Sequence, residues 1–73
     1  MAFFVIELQT NGTAGAVIPT AYSTKADALA AAYSLAAVAV KSEVEVHTIL
    51  CVNAQGFDVI DPMIFEHKTK TEK

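Results

Sequence analysis

The sequence predicts an α+β domain of order ββαββ: a four-stranded antiparallel sheet with one helix packed on one face. Three observations carry this prediction. Two blocks of β-branched and aromatic residues alternate in character at period two, one on each side of an alanine-rich segment. Each block contains a turn signal, Asn11-Gly12 in the first and Asn53-Ala54-Gln55-Gly56 in the second. Between them, residues 25–41 contain neither Gly nor Pro.

Phe3 to Thr10 reads as the first strand. Phe4, Ile6 and Leu8 point to one face and Phe3, Val5, Glu7 and Gln9 to the other, so the first set is the expected core face. Thr13-Ala14-Gly15 extends the turn, and Ala16-Val17-Ile18 is a short return strand. Pro19 cannot donate to a ladder, which puts that strand at a sheet edge.

Thr24 is the expected helix N-cap, with Asp27 three residues on and Tyr22 placed to staple the entry. Asp27 and Lys41 suit the two ends of the helix dipole. After the helix, Val44 to Val52 reads as a strand. One face carries Val44, Val46, Thr48, Leu50 and Val52, the other Glu45, His47, Ile49 and Cys51. Phe57 to Ile60 returns, Asp61-Pro62 interrupts, and Met63 to His67 resumes as an edge segment. Residues 1–67 are thus expected to form one domain, with 68–73 a flexible polar tail.

The helix has almost no polar face. At about 100° per residue, Leu29, Tyr33, Ala36 and Val40 form one apolar stripe and Ala28, Ala31, Leu35 and Val38 another. A sheet this small covers one stripe, expected to be that of Tyr33. The other, together with Phe3 and Val5 on the second sheet face, is expected to meet another copy of the chain. Size supports the same expectation: 73 residues bury little surface. One cysteine allows no internal disulfide, which leaves oligomerisation as the remaining staple. The chain is 53% hydrophobic and only 18% charged, against about a quarter charged in ordinary domains.

Charge excludes some partners. A net charge of −3 argues against nucleic acid and acidic membranes, which select basic patches. The apolar N-terminal run stops at Glu7, without a positive flank, too short for a signal peptide or a span, so a cytoplasmic location is expected.

Few residues suggest chemistry. His47 and Cys51 lie about 13 Å apart on a strand at about 3.3 Å per residue, too far to share an ion or a proton. Glu45 and His47 alone are too few for a metal, so none is expected, nor any cofactor. The expected reading is a solvated Glu45 and His47 with a buried Cys51 thiol. Asp58 and Asp61 read as turn chemistry. Two segments offer anion contacts. Asn11, Gly12 and Thr13 form a loop with free N–H groups, although the loop lacks the pattern of a phosphate-binding loop. Tyr22, Thr24 and Lys25 bring an aromatic ring, a hydroxyl and an ammonium to a helix start.

The opening AFFVIELQT, the alanine helix running into VAVKSEVEVHTILCV with His47 after it, and the QGF hairpin resemble a family of small proteins encoded in phages and prophages of gut Firmicutes. The resemblance covers nearly the whole chain and implies a phage setting inside a bacterial host cell, without catalytic residues to carry over. The expectation is therefore a non-enzymatic homo-oligomer that binds a small ligand, such as a sponge that sequesters a nucleotide immune signal. The alternative is a structural or accessory virion protein, or an inhibitor of a host protein.

Overall fold

The computed structural model describes residues 2–67. Their elements run β1 (Phe3–Asn11), β2 (Ala14–Tyr22), α1 (Lys25–Ala39), β3 (Val46–Asn53) and β4 (Met63–Glu66). The strands form one antiparallel sheet in the order β2-β1-β3-β4, with α1 packed on one face. The predicted class and architecture are those observed. The polar tail, 68–73, lies outside the described residues.

The β1–β2 turn is tighter than expected. Asn11 pairs with Ala14, leaving only Gly12 and Thr13 in the turn. Gly12 takes φ 58°, the positive value that the first central residue of a primed hairpin turn needs. Pairing therefore starts at Ala14 and continues to Tyr22, well beyond the expected Ala16–Ile18. Pro19 lies opposite Ile6 on this edge strand, as anticipated.

The path of the chain decides which sheet face is covered. Both β2 and β3 run antiparallel to β1, so they are parallel to each other, and α1 crosses over β1 to join them. Such crossovers are right-handed in about 98% of cases. In a two-residue hairpin the closing pair is hydrogen-bonded, so Asn11, Gln9, Glu7, Val5 and Phe3 bond toward β2. A right-handed crossover then places α1 on the face of Phe3, Val5, Glu7 and Gln9, where it lies. Val5, Ile49 and Cys51 are buried beneath it. This reverses the expected assignment. Phe4, Ile6 and Leu8 are not the helix-covered face, and Phe3 and Val5 are.

The helix faces the sheet through alanine. Thr24 caps α1, its Oγ1 accepting from the Asp27 N–H at 3.1 Å. Ala28, Ala32 and Ala39 are fully buried, and Leu29, Ala31, Leu35 and Ala36 pack around them. The sequence-derived stripes are thus rotated. Tyr33, expected in the core, is 56% exposed, whereas Ala28, expected on the outside, is 0% exposed. The physical reason is shape: methyl side chains let the helix backbone sit close to the sheet, and a Tyr ring on that line would hold it away.

The second half departs more from expectation. β3 begins at Val46 instead of Val44, because local side chains take the backbone groups before it. Ser42 Oγ accepts from Val44 N–H at 2.8 Å, and Asn11 Oδ1 accepts from Glu45 N–H at 2.8 Å. The expected Phe57–Ile60 return strand is reduced to a single bridge between Val52 and Asp58. There the Asn53 side chain accepts from Gln55 and Phe57 N–H, each at 3.0 Å, in an Asx-type turn that competes with a ladder. Val59 and Ile60 instead fold over the core.

Candidate functional site

The covered face is apolar at one end and polar at the other. Toward the end of β1, Glu7 and Gln9 point beneath the helix, and His47 of β3 lies opposite Gln9. His47 Nε2 is 2.5 Å from Glu7 Oε2, and Gln9 Nε2 donates to the same oxygen at 3.0 Å. His47 is only 2% exposed, and its Nδ1 has no hydrogen-bond partner. The Nε2–H donates to the Glu7 carboxylate, which leaves Nδ1 as the ring nitrogen without a partner. The expected solvated His47 is therefore corrected to a buried one. The sequence signal was available in the odd-residue face shared by Glu7 and His47. It became meaningful only once that face was known to be covered.

His67 does not join this pair or Cys51. Its backbone N–H donates to the Glu45 carbonyl at 2.8 Å, and its Nε2 donates to the Ala39 carbonyl at 2.8 Å, closing the helix end against the last strand. Cys51 is 0% exposed at the apolar end, where burial pushes its thiol above the ordinary 9.0 while Lys25 pulls it down by a smaller amount. A buried thiol with a raised pKa is a poor nucleophile. Among the described residues, no group of three or more His, Cys, Asp and Glu side chains is placed to hold a metal ion.

The Asn11–Thr13 loop is occupied by the chain's own carboxylate. Glu45 Oε1 accepts from Gly12 N–H at 2.8 Å, while Asn11 Oδ1 accepts from Glu45 N–H at 2.8 Å. This reciprocal clasp ties the hairpin tip to the chain entering β3. It corrects the expectation of a free N–H at Gly12 for a phosphate. The other anion contacts lie far away: Tyr22 pairs with Phe3 at the opposite end of β1, eight residues from Asn11 and about 26 Å away at about 3.3 Å per residue. One chain thus does not bring Asn11, Gly12 and Thr13 together with Tyr22, Thr24 and Lys25. Thr24 and Lys25 are exposed at the helix start, and Tyr22 packs against the core, as a staple should.

Small clefts open on the surface of the described residues. One of about 170 Å³ is lined by Gln9, Asn11, Ala14, Gly15 and Ala16. Another, about 230 Å³, is lined by Glu45, Val46, Glu66 and His67. Both fall below the roughly 300 Å³ at which pockets for drug-sized ligands begin. The second carries two carboxyl groups, which disfavour a phosphate.

The expected interface residues divide. Val5 and Ala28 are consumed in the chain's own core, which leaves them no surface to offer a partner. Phe3, Ala31 and Leu35 are half-buried against that core, and only Val38, at 60% exposed, stands free. The apolar surface missed from sequence is the sheet face opposite the helix. There Phe4 and Ile6 of β1 lie opposite Val52 and Leu50 of β3, Leu8 and Val46 lie opposite Thr48 and Thr10, and Val17 and Ile64 flank them on the edge strands. No helix among the described residues is long and apolar enough to cross a membrane. Family models, curated proteins and solved structures return no match to this chain.

Proposed function

We propose that this chain is a non-enzymatic, homo-oligomeric accessory protein that acts by stoichiometric binding. One observation carries the reading: the His47 ring and the Cys51 thiol are sealed, while several large apolar side chains are left to partners. His47 and Cys51 are buried. Val17, Tyr33, Val38, Val40, Phe57 and Ile64 are each more than half exposed. Of these, Val17 and Ile64 lie together on the sheet face opposite the helix, and that apolar exposure supports a binding role. The resemblance to small phage and prophage proteins supports a role by stoichiometric binding. In that setting the ligand is a nucleotide immune signal and the activity is sequestration. Its contacts are Tyr22, Thr24 and Lys25, because the Gly12 N–H is already taken. Asn11 and Thr13 reach the ligand only from a second chain.

A second reading is a structural virion component or an inhibitor of a host protein. The observation in its favour is β2, nine residues without a charged side chain and exposed over nearly their whole length. Two measurements separate these readings. Light scattering gives the mass, and a value near 7.8 kDa at micromolar concentration refutes the homo-oligomer. Thermal shift against cyclic and linear nucleotides at saturating concentration raises the melting temperature of a sponge. No shift with any of them removes the ligand reading and leaves the structural or inhibitory one.

A further inference from the structure

The open sheet face has the composition of a core. Phe4, Ile6, Leu8, Val46, Leu50 and Val52 share it by register and are half-buried by one another, with exposed apolar side chains on both edge strands. Its one charged strand residue is Glu66, at the β4 margin. An antiparallel sheet with a solvated face shows polar residues there; this face is apolar over most of its length. None of the described residues on this face is fully buried, and no described helix or strand lies across it.

We infer that this face is the seat of a second copy of the chain, sheet against sheet, with the two helices on the outside. The inference rests on the homo-oligomeric reading and assigns its surface. Charge is the first argument. Each copy carries a net −3, so two copies repel unless the surfaces that meet are neutral. The open face is neutral apart from Glu66. Area is the second argument. Strands of these lengths, about 4.8 Å apart and rising about 3.3 Å per residue, cover on the order of 500 Å² in plan. Two copies therefore bury on the order of 1,000 Å², at the threshold for a specific interface.

The neighbouring surfaces serve a second copy less well. In the two-residue hairpin the outward-bonding positions of β2 are Gly15, Val17, Pro19 and Ala21. Pro19 offers no N–H there, so edge-to-edge extension of the sheet is interrupted midway. On the outer side of the helix, Tyr33 and Val38 are separated around the axis by Ser34, Asp27 and Lys41, so no continuous apolar stripe is left there. Stacking is left, with aligned sheets packing about 10 Å apart.

The test uses the full chain. Wild type is expected to scatter as two 7.8 kDa copies. Leu50→Lys is expected to raise the dimer Kd at least about 100-fold, because it buries an unpaired charge at the centre of the face. Val38→Lys, on the outer helix, is expected to leave the mass unchanged. A spin label on Thr48→Cys reports on the same face with little change to the core, and buried Cys51 stays unlabelled. Labels on two copies should lie within about 20 Å if the sheets stack. An oligomeric wild type whose Thr48 labels show no coupling, or whose mass survives Leu50→Lys but falls with Val38→Lys, overturns the face and spares the homo-oligomer. A monomeric wild type overturns both. If Leu50→Lys fails to fold, the Thr48 label decides alone.

Discussion

His47 Nε2 lies 2.5 Å from Glu7 Oε2, forty residues away in sequence and beneath the helix. The pair sits on adjacent strands at one end of a core that is otherwise Val5, Ile49, Cys51 and helix alanines. A buried polar pair of this kind is held in place by mutual satisfaction more than by net stabilisation. Removing Glu7 leaves both ring nitrogens of His47 without a partner, and removing His47 leaves a carboxylate with only Gln9. Glu7→Leu and His47→Leu should each cost about 3 kcal/mol in urea unfolding. The double variant should recover most of that loss, since nothing polar is then stranded. Additive losses in the double variant would refute this account.

Cys51 gives the pH dependence. Burial raises its thiol above 9.0 in the folded chain. The stability this contributes is fully present below the unfolded thiol pKa and is lost as pH rises through the folded value. Unfolding free energy should therefore decline above about pH 9, and Cys51→Ala should flatten that decline. Alkylation by iodoacetamide at pH 8 should proceed only at the rate of unfolding.

The alanine line sets the distance between helix and sheet. Ala32 is fully buried at its middle. Ala32→Leu should cost about 1–3 kcal/mol, because the added carbons meet a packed sheet. Ala37→Leu, on the exposed side of the same helix, should change stability by less than about 0.5 kcal/mol. Thermal melts of the two variants make the comparison, and equal effects would contradict the observed rotation of the helix.

Glu45 acts as the chain's own anion at the hairpin tip. Glu45→Ala removes the bond to Gly12 N–H and should cost about 1 kcal/mol. Hydrogen exchange at Gly12 should accelerate in that variant, while exchange in the β1–β3 ladder should change only with global stability. In wild type, millimolar phosphate should leave the Gly12 amide resonance unmoved.

Much of the fold was legible in single residues. Thr24 marked the cap, Pro19 the edge strand and Asn11-Gly12 the first turn, each through a local property of its own backbone or side chain. The β3 start and the Phe57–Ile60 segment depart from the strand pattern because side-chain acceptors compete there with the ladder. Ser42, Asn11 and Asn53 take backbone N–H groups that a strand pattern assigns to a neighbour. The candidate ligand residues were legible only as two separate local signals. Their separation along β1 is a property of the hairpin register.

The sequence by itself determined the elements, their order and the surplus of apolar surface, because helix and strand periods, caps and turns are local. Tertiary structure decided which surplus is buried. Both faces of β1 and β3 are apolar enough to serve as core, so periodicity cannot choose between them. The choice falls to the two-residue turn, which fixes which β1 residues bond toward β2, and to the right-handed crossing of α1 over β1. Together they place Glu7 and His47 under the helix and leave Phe4, Ile6, Leu8 and Leu50, each half-buried by its neighbours, on the opposite face.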